Sequence, residues 1–111
     1  MINGGRIFAK QLKKEGVEQI FTLCGGQIMP IIYGCRAEGI KVIDVRHENA
    51  AVYAADAYAR MTGKPGVVLT TLAPGVMHTM QGVFEARGAN SPISVIAASS
   101  GIADVDSGAE Q

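Results

Sequence analysis

Hydrophobic and polar positions along this chain fall into two kinds of segment. Four short runs rich in branched aliphatic residues, spaced about 25 residues apart, are typical of buried strands. They cover residues 17–23, 40–45, 67–72 and 93–98. In the other segments apolar residues recur at helical spacing, which predicts four helices at residues 7–15, 27–38, 47–61 and 76–87.

Strands that alternate with helices in this way indicate an α/β fold with a parallel sheet. We predict a three-layer α/β sandwich whose four strands lie in the order 2-1-3-4, with right-handed crossovers. The run at residues 67–72 is apolar enough to be buried on both faces of that sheet. A chain of 111 residues has room for one core, so we predict a single domain over residues 1–111.

The carboxyl edge of the predicted sheet collects the most informative loops. Ligands of parallel sheets bind outside the carboxyl ends of the strands, near the point where the strand order reverses. Residues 24–27, 46–49 and 73–75 each follow a strand and should meet there. Glu48 allows two interpretations: a first-turn carboxylate that complements the helix dipole, or a carboxylate that shares a proton with a ligand ring nitrogen.

Composition narrows the classes of function. Ten basic and ten acidic residues give a formal net charge of zero, which argues against nucleic acid or an anionic membrane as a partner. No apolar run reaches the length of a membrane span, and the N-terminal residues lack the apolar core of a secretory signal. Two cysteines, Cys24 and Cys35, make no disulfide framework and suit a reducing compartment. We therefore expect a cytoplasmic protein.

Several familiar chemistries fit this sequence poorly. The glycine patterns of dinucleotide and P-loop sites do not occur, and Gly25–Gly26 alone favours a tight turn. His47, His78 and the acids near them match no zinc-binding spacing, so no metal site is predicted. Nothing resembles the nucleophile elbow of a serine hydrolase.

Residues 46–51 and 54–67 resemble the pyrimidine-binding domain of thiamine diphosphate-dependent enzymes, above all the group of acetolactate synthase, benzaldehyde lyase and 2-hydroxyacyl-CoA lyase. Residues 16–21, 25–30 and 91–93 are similar to other segments of that domain. Residues 73–78 resemble its Gly-Pro-Gly-x-x-Asn loop, from which Ala73 and His78 depart. The resemblance covers essentially the whole chain and implies a truncated domain of flavodoxin-like topology.

The resemblance also implies roles for particular residues. Glu48 would be catalytic: it would hydrogen-bond the ring nitrogen opposite the amino group of the cofactor and promote the imino tautomer. The implied cofactor-binding residues are Glu48, Pro74, Gly75, His78 and Gly25, and the implied substrate-facing residues are Gly26, Gln27 and Gln111. The substrates of the family group are 2-keto acids or 2-hydroxyacyl compounds.

A partner is implied as well. Family members bind the diphosphate and Mg²⁺ through a Gly-Asp-Gly…Asn motif on a second α/β domain, and that motif does not occur in this chain. We therefore expect no activity from the chain alone, a diphosphate-binding domain or subunit as its partner, and a homodimer formed through the helix at residues 47–62. The alternative is a non-catalytic binding or dimerisation module of the same fold.

Overall fold

The structure, a computed structural model, describes residues 3–104 and 106–107. The helices are α1 (Gly4–Lys14), α2 (Met29–Ala37), α3 (Glu48–Thr62) and α4 (Ala73–Gly88). The strands are β1 (Gln19–Thr22), β2 (Lys41–Asp44), β3 (Gly66–Thr70) and β4 (Ile93–Ala97). Single turns of 3-10 helix lie at Gly26–Ile28 and Ile102–Asp104. Helices and strands thus alternate from α1 to β4, as the sequence predicts.

The four strands form one parallel sheet in the order β2-β1-β3-β4, which confirms the predicted order. Phe21 of β1 pairs with Val68 of β3, and Val68 pairs on its other side with Val95 of β4. Every residue of β3 is buried, as expected for a central strand covered on both faces. The chain leaves β1 for β2 on one side and reaches β3 on the other, so the strand order reverses between β1 and β3.

Helices cover both faces of the sheet and produce the predicted three layers. Successive side chains of a strand point to opposite faces, so each inner strand contributes to two cores. The core beneath α1 and α2 contains Ala9, Ile20, Ile28, Ile32, Cys35 and Leu69. The core beneath α3 and α4 contains Phe21, Ala51, Val52, Ala55 and Val68, with Val83 packed against it. Alanines on α3 allow that helix to lie close to the sheet.

The helix boundaries agree with prediction to within two residues, except that α1 and α4 each begin three residues earlier than predicted. The sequence predicted a loop at residues 73–75 and a helix from Val76, but α4 begins at Ala73. Pro74 explains the difference, because its fixed φ and missing N–H suit the first turn of a helix. With 16 residues α4 is the longest described helix. None of the described helices combines the length and the apolar character needed to cross a bilayer.

The two ends of α3 are set by local hydrogen bonding. His47 is the N-cap: its Nδ1 accepts a hydrogen bond from the backbone N–H of Asn49, over 3.2 Å. Gly63 ends the helix with φ of +70°, a left-handed conformation that glycine adopts at low cost. These ends place Glu48 in the first turn, just beyond the carboxyl end of β2, at the edge where ligands of such sheets bind.

Candidate functional site

Glu48 is a buried carboxylate at the carboxyl edge of the sheet. It is the first residue of α3, and its side chain is 9% exposed. Its position in the first turn places the carboxylate at the positive end of the helix dipole. This position agrees with the first interpretation of the sequence, a first-turn carboxylate that complements the helix dipole. The second interpretation, a proton shared with a ligand ring nitrogen, stays a prediction.

Gly75 provides the space that the carboxylate occupies. A Cβ at Gly75 would lie 2.5 Å from Thr70 Oγ1 and 3.3 Å from Glu48 Oε1. A side chain there would therefore crowd the carboxylate against the end of β3. Pro74, one residue earlier, is exposed in the first turn of α4. The structure thus brings together the Pro-Gly turn and the carboxylate, which are separated by 26 residues or more in sequence.

His78 contacts the other oxygen of the same carboxylate. Its Nδ1 lies 3.0 Å from Glu48 Oε2, and its side chain is 52% exposed. The ring of His47 stacks on the ring of His78, with centroids 4.9 Å apart and planes inclined by 29°. Sequence reasoning assigned a cofactor-binding role to His78 but considered His47 only as a metal ligand and set it aside, although its position directly before Glu48 was a usable signal.

Asn49 joins α3 to α4 beside this cluster. Its Oδ1 accepts a hydrogen bond of 2.9 Å from the backbone N–H of Gly82, and its Nδ2 donates to Gln81 Oε1 at 3.1 Å. A Cβ at Gly82 would lie 2.7 Å from Val52 Cβ, so the helices are in close contact at this point. Asn49 was not singled out from the sequence, since its partners lie more than 30 residues away.

Residues 25–27 form the neighbouring wall at the end of β1. A Cβ at Gly25 would lie 2.7 Å from Thr71 Oγ1, and that hydroxyl donates a hydrogen bond of 2.9 Å to Gln27 Oε1. Thr71 Cγ2 also lies 3.1 Å from the position of a Gly75 Cβ. Thr71 therefore packs between the two glycine-containing turns, a role that sequence reasoning did not assign.

Gly26 and Gln111 complete the predicted set of site residues. Apart from its chain neighbours, no described residue has a heavy atom within 4 Å of the position that a Gly26 Cβ would take, so Gly26 borders open space among the described residues. Gln111 lies outside the described residues. Glu48, Gly75 and His78 therefore form one cluster. Gly25 and Gln27 are both close to Thr71, which lies next to that cluster.

Thr70 carries a buried hydroxyl that has no hydrogen-bond partner within the described part of the chain. By contrast, the buried Thr22 hydroxyl donates to the Leu69 carbonyl at 2.7 Å. Replacing a bonded hydroxyl loses a hydrogen bond, whereas replacing an unbonded one removes only a desolvation penalty. The Thr70 hydroxyl lies against Gly75, so it is a group of the site rather than of the distant core.

These two threonines give a matched prediction. Thr22→Val should lower the free energy of unfolding by about 1 kcal/mol, and Thr70→Val should leave it unchanged or raise it by up to about 1 kcal/mol. Urea denaturation of the two variants measures the difference directly. Equal losses in both would mean that the Thr70 hydroxyl is bonded in the folded protein.

The fold and the site together define a class of protein. It is a doubly wound parallel α/β domain with a buried carboxylate beside a Pro-Gly turn, at the sheet edge where ligands of such folds bind. The family model "Thiamine pyrophosphate enzyme, N-terminal TPP binding domain" matches residues 2–111. The chain belongs to this family of thiamine pyrophosphate (thiamine diphosphate) enzymes.

Curated relatives include two of the three kinds of enzyme that the sequence resembles. The 2-hydroxyacyl-CoA lyase 2 of Xenopus laevis is 47% identical over 94 residues, which cover 85% of this chain and 14% of that protein. The human 2-hydroxyacyl-CoA lyase 2 is 46% identical over 94 residues, 85% of this chain and 15% of its own length. An acetolactate synthase large subunit of Mycobacterium tuberculosis is 40% identical over 95 residues, 86% of this chain and 17% of its own. The matched part of the chain thus spans only 14–17% of these relatives.

Proposed function

We propose that this chain supplies the pyrimidine-binding side of a thiamine diphosphate-dependent lyase or transferase that acts on 2-keto acids or 2-hydroxyacyl compounds. The observation that carries the proposal is the buried carboxylate of Glu48, held against Gly75 in a chain of this family. The lyase and acetolactate synthase relatives support the substrate class. When bound, the cofactor supplies an electron sink for bond making and breaking next to a carbonyl.

The described residues fit an aminopyrimidine. Gly75 leaves one face of the Glu48 carboxylate free of side-chain bulk, and the unbonded Thr70 hydroxyl lies against the same glycine. In this proposal Glu48 holds and moves a proton at a ring nitrogen, because a desolvated carboxylate is a suitable acid–base group. Pro74, His78 and Gly25 flank the ring.

The substrate is proposed to approach from the turn after β1. Gly26 borders open space and Gln27 is held there by Thr71, so both are proposed to face the substrate. Gln111 is proposed for the same role from the family resemblance alone. We further propose a cytoplasmic location, because both cysteines are free thiols.

A second domain or subunit is proposed to hold the diphosphate and Mg²⁺. The Gly-Asp-Gly…Asn motif of the family does not occur in these 111 residues. We therefore expect the chain alone, with thiamine diphosphate and Mg²⁺, to give no turnover of pyruvate. The measurement is pyruvate consumption with and without an added diphosphate-binding domain of a family member. Turnover by the chain alone would overturn the need for a partner, and binding without any turnover by the pair would favour a non-catalytic module.

Self-association is proposed to use the outer surface of α3 and α4. Exposed residues on that side are Ala50, Tyr53, Ala57, Met61, Met77, Met80 and Phe84. Small residues beside large apolar ones let two helix pairs approach closely and bury area. We therefore propose a homodimer through α3 with α4 beside it.

The matched variants for this dimer are Phe84→Asp and Ile7→Asp. Phe84 is 66% exposed on α4 and Ile7 is 60% exposed on α1, on opposite faces of the sheet. Phe84→Asp should shift the chain from dimer to monomer, because it places a charge in the apolar contact, while Ile7→Asp should not. Sedimentation velocity measures both. A monomeric parent chain, or equal effects of the two substitutions, would rule out this surface.

A further inference from the structure

We propose that His47, Glu48 and His78 form a binding site for one divalent transition-metal ion of the Zn²⁺ class. Each residue offers a ligand atom, and the three atoms lie within 4.8 Å of one another. Imidazole and carboxylate are the ligands that Zn²⁺ and its neighbours Co²⁺, Ni²⁺ and Cu²⁺ bind in proteins. Sequence spacing gave no sign of this site, because the α3–α4 contact brings His78 to the other two.

The closest pair of atoms in the cluster has the spacing expected of two ligands on a single ion. Two ligands bound at about 2.0–2.1 Å to a tetrahedral ion lie roughly 3.3 Å apart. His78 Nδ1 and Glu48 Oε2 are separated by 3.0 Å, which is close to that spacing. The three atoms lie within 4.8 Å of one another, whereas two ligands of one ion can be at most roughly 4.1 Å apart, so the exposed His47 ring is proposed to shift slightly toward the ion.

Burial also favours an ion here. The carboxylate is buried while both imidazoles are exposed, so an ion can enter from solvent and keep water at its remaining positions. His47 Nδ1 accepts a hydrogen bond from the backbone N–H of Asn49, so Nε2 is the nitrogen of that ring that can bind the ion. Metal binding requires deprotonated ligands, so ion binding should strengthen as protons are removed from the solution.

The ion and the cofactor would exclude each other. This consequence rests on the proposed function, because both ligands need the Glu48 carboxylate. Metal binding would then be a reversible inhibition that thiamine diphosphate relieves. The binding site itself does not depend on that role, and it can be tested with the metal alone.

The test is a titration of the full 111-residue chain with Co²⁺, followed by visible absorption, and with Zn²⁺, followed by calorimetry. The chain has only two histidines, and both belong to the cluster, so an imidazole-bound ion reports on this site alone. We expect one ion per chain. His78→Ala and Glu48→Gln should each weaken binding by about tenfold or more, since even outer ligand partners are worth that much.

Cys24→Ser is the control, because Cys24 is the exposed thiol that could bind the same metals. It should leave the affinity unchanged. As a second readout, Cu²⁺ should broaden the imidazole signals of His47 and His78 together in the proton NMR spectrum. Absence of binding at millimolar Co²⁺ and Zn²⁺, or an affinity unchanged by both cluster substitutions, would overturn the proposal. Loss of metal binding in Glu48→Gln without loss of cofactor activation would support the metal site and refute the proposed function separately.

Discussion

Glu48→Gln should lower the rate of cofactor activation at least about 100-fold in an active assembly that contains this chain, since general acid–base groups contribute 10²–10⁴. The amide has nearly the same shape as the carboxylate and can still accept a hydrogen bond from His78, but it cannot take a proton from a ring nitrogen. The measurement is deuterium exchange at the thiazolium C2 of bound thiamine diphosphate, followed by proton NMR after an acid quench.

Glu85→Gln is the matched control for that substitution. Glu85 is an exposed acid of α4 that pairs with Arg60 at 3.3 Å, away from the cluster. Exposed ion pairs contribute little to stability, so this variant should fold and exchange like the parent. Circular dichroism checks the fold of both variants. An exchange rate within threefold of the parent for Glu48→Gln would remove Glu48 from the catalytic role.

Gly66→Ala should lower the free energy of unfolding by about 3 kcal/mol, the upper end of the usual cost of overpacking. Gly66 is the first residue of β3, and a Cβ there would lie 2.2 Å from the Ala55 carbonyl oxygen and 2.7 Å from its carbon. Because those atoms are helix backbone, α3 would have to move away from the sheet. Urea denaturation followed by circular dichroism gives the change.

Gly88→Ala provides the comparison, since within the described part of the chain a Cβ there would contact nothing within 4 Å beyond its own helix backbone and chain neighbours. This glycine ends α4 in a helical conformation, where alanine should raise the free energy of unfolding by up to about 1 kcal/mol. If the urea midpoint of Gly66→Ala equals that of the parent chain, α3 does not contact β3 closely at this residue.

The layout of the fold was predictable because it depends on local periodicity. Alternating strand and helix patterns determine a parallel sheet, and chirality then restricts the order of its strands. Glu48 could be placed at the carboxyl edge because it begins a helix directly after a strand. These predictions depend only on residues that are close together in the sequence, so one sequence is enough to make them.

The details of the site depend on contacts between distant segments. The His47–His78 stack requires the separation and rotation of α3 and α4, and the 3.0 Å contact of His78 with Glu48 requires the same packing. Thr71 lies between two turns that belong to different crossovers. The start of α4 was misjudged for another reason, because Pro-Gly suits a loop as well as a first helical turn.

The Asn49 bridge between α3 and α4 bears on affinity. Because Asn49 bonds the Gly82 backbone, the helix that carries Glu48 and the helix that carries His78 are held in one geometry in the folded chain. Conformational entropy is therefore lost when the chain folds rather than when a ligand arrives, so less of the ligand's interaction energy is spent on ordering the site. A ring nitrogen or an ion would therefore bind a Glu48 carboxylate whose rotamer is already fixed in the folded chain.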